Sequence, residues 1–227
     1  MTYRQIMQHL KSFYKPENVE GMARFGIISK KVYGVPTPEV RKLARQLGKD
    51  HQLAQRLWSS GVLDARALAA LIDDPAQVTQ EQMEAWVLDF DNWATCDVCC
   101  SDLFDRTPYA YRKAAEWSRR DEEYVKRAAF ALMAALSVHD KKATDARFER
   151  FLKIIERESA DDRNFVKKAV NWALRNIGKR NLALNAKAIQ AAERIRATGT
   201  RAGRWIAADA LRELRSEAVQ KRLRRAV

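Results

Sequence analysis

Apolar residues in the second half of the chain follow a helical period and then recur as a block. Val125, Ala128, Ala129, Leu132, Met133 and Leu136 fall at i, i+3, i+4, i+7, i+8 and i+11, one stripe of an α-helix. A shift of 41 positions gives Val166, Ala169, Val170, Ala173, Leu174 and Ile177, all apolar. A second shift gives Ala207, Ala210, Leu211, Leu214, Arg215 and Ala218, five of them apolar. Each stripe is preceded by another helical segment, at 108–119, 145–157 and 182–197. Strand signals are nearly absent, because strict alternation never persists and β-branched residues are sparse. Thr37-Pro38-Glu39 and Thr107-Pro108 read as cap residues ahead of a first-turn proline. Asp64, Asp91-Asn92, Asp121, Asp145 and Asn164 precede further apolar runs as helix starts. The pattern predicts an all-α chain of about ten to thirteen helices.

A helix pair every 41 residues lies in the range of HEAT and armadillo arrays, where each pair buries its stripe against its neighbours. The expected architecture is an α-α solenoid, a HEAT-like superhelix forming one domain over 1–227 with a concave basic cleft. The alternative is an ordinary helical bundle with a coincidental spacing. Upstream of residue 100 the period does not extend, so the N-terminal helices are expected to be less regular.

Composition narrows the class. With 47% apolar residues, 8 Gly and 5 Pro, the chain has ample material for a core and is neither disordered nor collagen-like. No apolar run approaches membrane-spanning length, and the N-terminus MTYRQIMQHLKSFYKPE lacks the apolar stretch of a secretion signal. Three cysteines crowded at 96, 99 and 100 make no disulfide framework. A soluble, cytoplasmic protein is expected, associated with the nucleoid if bacterial.

Charge changes the picture more. The formal net charge is +13, and residues 164–227 hold 16 Lys and Arg against 4 acids. Such a segment attracts polyanions by counterion release, and DNA or RNA is the commonest of these. A solvated basic surface would be spread over the whole chain. An anionic membrane fits poorly, since the basic stretch lacks a strongly apolar opposite face.

On the second repeat, Lys168, Trp172, Arg175 and Lys179 lie at i, i+4, i+7 and i+11, opposite the stripe, and Arg127 takes the slot of Lys168 one repeat earlier. Cations aligned by an array suit phosphate contact. Trp172 among them either packs on a neighbouring helix or cation, or meets a sugar or base. In Asp91-Asn92-Trp93-Ala94-Thr95-Cys96-Asp97 a helix opens with Trp93 and Asp97 on one face. Cys96, Cys99, Cys100 and Leu103 form its apolar stripe, so the thiols read as core. The competing metal site lacks a second thiol pair, and His9, His51 and His139 are not at ligand spacing. Asp97 beside an indole either orients an arginine or stabilises developing positive charge and positions a water.

These residues carry a resemblance. Met22-Ala23-Arg24-Phe25, Tyr33-Gly34-Val35-Pro36-Thr37-Pro38 leading to Arg41, Asn92-Trp93 with Cys96-Asp97, Val125-Lys126-Arg127-Ala128-Ala129, and Phe165-Val166-Lys167-Lys168-Ala169 with Trp172-Ala173-Leu174-Arg175 occur in one order through most of the chain. The sequence resembles the AlkD-type DNA alkylation repair proteins, DNA glycosylases built of HEAT-like repeats. The resemblance implies excision of cationic N3- or N7-alkylated purines from duplex DNA in base excision repair. It makes Asp97 the catalytic carboxylate and Trp93 and Trp172 the indoles flanking the lesion. Arg127 matches the phosphate-gripping arginine, and Arg24, Phe25, Lys167, Lys168, Arg175 and Lys179 complete the DNA-contacting set. Phe25 stands where the family commonly has Tyr, which keeps a ring and removes a hydroxyl. A cationic purine leaves neutral, so one carboxylate suffices where glycoside hydrolases use two, and each indole face adds cation–π attraction of about 1–2 kcal/mol when desolvated. No metal, organic cofactor or obligate protein partner is implied, and a monomer is expected. Some relatives keep DNA binding without activity, so a non-catalytic binder of bent or branched DNA is the main alternative. A protein-binding scaffold is the other.

Overall fold

A computed structural model describes residues 1–225. Among these there are fourteen α-helices, one 3₁₀ turn and no strand. The chain divides into two units, Met1–Pro108 and a second beginning at Tyr109.

The first unit holds α1 (Tyr3–Ser12), α2 (Pro16–Arg24), α3 (Thr37–Leu47), α4 (His51–Ser59), α5 (Leu63–Ile72), α6 (Gln80–Leu88), α7 (Trp93–Asp102) and the 3₁₀ turn Phe104–Arg106. Its core is an aromatic cluster. Trp58 and Trp86 stack in parallel with centroids 3.9 Å apart, and Phe90 and Phe104 close around them. Such ring pairs add about 0.5–1.5 kcal/mol beyond their buried area. The Trp58 indole keeps its polar edge satisfied by donating to Asp89 at 2.8 Å. Helices α3 and α7 both pack on α5.

The second unit holds α8 (Ala110–Trp117), α9 (Glu123–His139), α10 (Asp145–Glu158), α11 (Asn164–Gly178), α12 (Leu182–Ala197), α13 (Arg201–Leu214) and α14 (Glu217–Arg225). Hairpins α8–α9, α10–α11 and α12–α13 stack so that α9, α11 and α13 form an inner row, with α10 against α12 behind it. The stripes of α9 and α11 are buried at every position. On α13 the stripe ends at Leu214, because the helix stops there. Arg215 and Ala218 lie beyond it and are exposed.

The inner-row pattern also explains why the 41-residue offset fails upstream. Helices α3, α5 and α7 pack as alternate members in the same way, but their first residues Thr37, Leu63 and Trp93 are only 26 and 30 positions apart. Shorter helices and loops break the numerical period while the packing rule persists.

Several expected helix starts are shifted. Helix α3 begins at Thr37, with Pro36 as the flanking residue and Pro38 inside the first turn. Thr107 closes the 3₁₀ turn through its hydroxyl on the Phe104 carbonyl, and α8 starts at Ala110. Asp121 lies two residues ahead of α9, whose flanking residue is Glu122. Asp145 and Asn164 open their helices behind Thr144 and Arg163. Asp64 sits inside α5 and is buried, its two oxygens accepting the Tyr33 and Val35 N–H groups at 2.6 and 2.8 Å. That carboxylate fixes the Tyr33–Pro38 segment on α5, and Asn18 grips it from the other side through the Gly34 carbonyl. Gly34 is required there: its φ is +74°, and a Cβ would stand 2.9 Å from that of Asn18.

Candidate nucleic-acid interface

Helix α7 begins where Asn92 accepts the Thr95 N–H at 2.9 Å, a standard N-cap. Trp93 is therefore the first helical residue and Asp97 follows one turn later, both partly exposed. The Trp93 indole Nε1 donates to the Phe25 carbonyl at 2.9 Å, and Ser29 Oγ donates to Asp91 at 3.0 Å. Two bonds thus tie the segment after α2 to the start of α7. Between them the Phe25 ring faces solvent, 76% exposed, and Arg24 beside it is exposed as well. Cys96, Cys99 and Cys100 are fully buried on the other side of α7. Burial pushes the Cys99 and Cys100 thiols well above their ordinary range, so they stay protonated and pack as small apolar groups.

In the second unit Arg127 is buried in α9 and gives Nη1 to the Phe165 carbonyl at 2.7 Å. Lys126 beside it meets Glu158 at 2.8 Å and Asp161 at 3.6 Å. Along α11, Lys168 is exposed and Trp172 partly exposed, as their register predicts. Arg175 and Lys179 behave differently. Arg175 pairs with Asp209 at 3.0 Å and Glu213 at 3.1 Å, and Lys179 pairs with Glu213 at 2.7 Å. Asn171 adds a bond to Asp209 at 2.7 Å. These contacts make a polar ladder between α11 and α13, so two cations expected to face phosphate hold the neighbouring helix. Sequence spacing missed this because the acids lie more than thirty positions away, on the solvent side of another stripe. At the top of the ladder Lys167 has no carboxylate partner among the described residues and sits 5.2 Å from the ring centroid of Trp205.

The six tryptophans sort by burial. Trp58, Trp86 and Trp117 are core residues, whereas Trp93, Trp172 and Trp205 keep exposed faces. The first two of these were expected at an interface, and Trp205, 41% exposed, was not. Its signal in the sequence is a tryptophan flanked by Arg201 and Arg204 ahead of the α13 stripe. His9 and His139 are exposed, and His51 bonds to buried Asp73 at 2.7 Å. Among the described residues no group of three or more His, Cys, Asp and Glu could hold a metal ion. Among the described residues no helix is long and apolar enough to cross a membrane.

Comparison with known proteins accords with this architecture. The chain is 23% identical over 199 residues to the uncharacterized protein Lin0241 of Listeria innocua, covering 86% of this chain and 87% of that one. It is 25% identical over 130 residues to Lmo0209 of Listeria monocytogenes, covering 56% and 58%. A solved structure described as "a new family of proteins related to the HEAT-like repeat DNA glycosylases with affinity for branched DNA structures" superimposes with a TM-score of 0.77 at 20% identity, covering 86% of this chain and 83% of that one. That likeness shows the HEAT-like helical-repeat fold. The profile of a family described as "DNA alkylation repair enzyme" matches residues 6–214, and the chain therefore belongs to that family.

Proposed function

We propose that the protein is a DNA glycosylase that excises cationic N3- and N7-alkylated purines from duplex DNA. The observation that carries this reading is the pairing on α7. Partly exposed Asp97 stands one turn from an indole whose orientation is fixed by the Phe25 carbonyl. A carboxylate in that setting can stabilise an oxocarbenium-like sugar and hold the water that attacks its anomeric carbon. The bond from sugar to base breaks as the water oxygen adds. The base takes the electron pair and leaves uncharged, and the water gives its proton to Asp97. Trp172, partly exposed on α11, offers a second indole face to bound DNA.

Phosphate contact begins with Lys167 and Lys168, which have no carboxylate partner among the described residues. Arg24 and Phe25 contribute from the first unit. Arg127, which braces α9 to the Phe165 carbonyl, is a further phosphate contact on this reading. Arg175 and Lys179, paired with Asp209 and Glu213, hold the α11–α13 wall. Incubating the protein with duplex DNA containing 7-methylguanine tests the reading. Release of free 7-methylguanine under single-turnover conditions is expected, and binding without release would overturn catalysis.

A second reading is favoured by the solved relative, whose description names affinity for branched DNA. On that reading the same cations and exposed rings bind a junction, and Asp97 has no chemical role. Competition between plain duplex and four-way-junction DNA in the same assay separates the two.

A further inference from the structure

Helix α13 departs from the repeat at its N-terminal end as well as at its C-terminal one. In the frame set by the buried stripes, the first residue of α11, Asn164, corresponds to Trp205, yet α13 begins at Arg201. It carries one extra N-terminal turn, capped by Thr200, whose side chain accepts the Gly203 N–H. That turn contributes Arg201 and Arg204, both exposed, and leads directly into Trp205. Arg201 lies one turn ahead of Trp205 on the same face. Across the inner row, Lys167 sits on the indole at 5.2 Å. None of Lys167, Lys168, Arg201 or Arg204 is paired with a carboxylate among the described residues, whereas Arg175, Lys179, Arg212 and Arg215 further along are. Unbalanced positive charge is therefore concentrated around one exposed ring.

An indole 41% exposed in water forgoes part of its burial energy. A cation over a ring also offers a planar, positively charged platform, which suits a nucleobase attached to a phosphate chain. Paired bases in a duplex are already stacked on each other and present no free face. Unpaired bases at a fork or junction do.

We propose that Trp205, with Lys167, Arg201 and Arg204, is a stacking site for an unpaired base of bound DNA, giving preference for forked or branched DNA over plain duplex. The proposal rests on the DNA-binding part of the function above and is independent of excision. Lys167 and the two arginines take the phosphates on either side of the stacked base.

Fluorescence anisotropy with three labelled probes tests it: a plain duplex, a fork with single-stranded arms, and a single strand. Trp205→Ala should weaken fork and single-strand binding by about tenfold, the scale of one base–aromatic stack. Duplex binding should change less than about twofold. Trp205→Phe should retain most of the fork affinity, and Trp205→Leu, which keeps an apolar side chain without a π face, should lose it. Fork binding by the Ala and Leu variants at wild-type strength would overturn the stacking site while leaving DNA binding intact. A wild-type protein that bound none of the three probes would overturn both. Tight capture of a protein ligand, with no DNA bound, would assign the patch to a protein partner and overturn it equally.

Discussion

Trp93 and Phe25, 68 positions apart in the chain, are joined by one hydrogen bond from the indole Nε1 to the Phe25 carbonyl at 2.9 Å. The bond fixes the indole plane at the start of α7 and leaves the Phe25 ring in solvent. Trp93→Phe keeps an aromatic face and removes the donor, at a cost of about 1 kcal/mol. Residues 25–31 should then exchange their amide hydrogens faster, and hydrogen-exchange mass spectrometry of that peptide checks it. Unchanged exchange would mean the Ser29–Asp91 bond alone holds the segment.

Asp97→Asn keeps the shape of the side chain and removes its charge. Under the proposed function, release of 7-methylguanine should fall below detection while duplex affinity stays the same or rises, because a negative charge facing DNA has been removed. The comparison is single-turnover excision beside a gel shift. Normal excision by this variant would take the carboxylate out of the mechanism.

Arg127 has two roles to separate. Its buried guanidinium donates to the Phe165 carbonyl, a charge-assisted bond worth about 1.5–3 kcal/mol. Arg127→Ala should therefore lower the melting temperature. If the guanidinium also grips a phosphate, the slope of log K against log salt should shrink by about one. A lower melting temperature with an unchanged slope would leave Arg127 as a brace between α9 and α11.

How much of this was legible in the sequence depends on how local each signal is. The stripes of α9 and α11 were fully readable because burial along a helix imposes its own period. So was the Trp93–Asp97 pair on α7, since four residues make one turn. The regular packing of α3, α5 and α7 was hidden because their spacing differs from 41, and an offset search rewards equal lengths. Asp64 read as a helix start because a capping carboxylate and one that latches a distant turn look identical in sequence. Arg175 and Lys179 read as free cations because Asp209 and Glu213 become neighbours only when α13 stacks on α11. Trp205 was missed because it follows directly on the N-terminal turn that the other repeats lack.

Acid should act on the second unit through Glu158 and Asp161. Burial pushes both carboxyls up. Hydrogen bonds from Lys126 and Arg157 to Glu158, and from Arg163 to Asp161, more than offset this and hold both below their ordinary values of 4.5 and 3.8. A carboxyl held low in the folded state adds stability above its unfolded value, and that stability is lost as pH falls through the folded one. Urea midpoints should therefore be level near neutrality and decline as pH drops below about 4.5. Lys126→Met removes the cation shared by both acids and should flatten that decline. An unaltered pH profile in the variant would remove this cluster from the acid response.

Gly178 ends α11 against residues of both α12 and α13. A Cβ there would lie 2.7 and 2.9 Å from the two terminal carbons of Leu214 and 2.9 Å from the Ala188 Cβ. The leucine end can rotate, but Ala188 is fixed to the α12 backbone. Asn185 also donates to the Gly178 carbonyl at 2.8 Å and to the Leu214 carbonyl at 3.4 Å, linking the ends of α11 and α13. Gly178→Ala must therefore push α12 or α13 outward, an overpacking cost of about 1–3 kcal/mol. The better helix propensity of alanine returns at most about 1 kcal/mol. Gly21, inside α2, is the control, since nothing lies within 4 Å of its Cβ position. Gly21→Ala should raise the melting temperature slightly and Gly178→Ala should lower it by several degrees. Equal effects at both sites would mean the α11–α12–α13 contact is looser than its spacing indicates, and the ladder from Lys167 to Lys179 would then have no rigid frame to hold it.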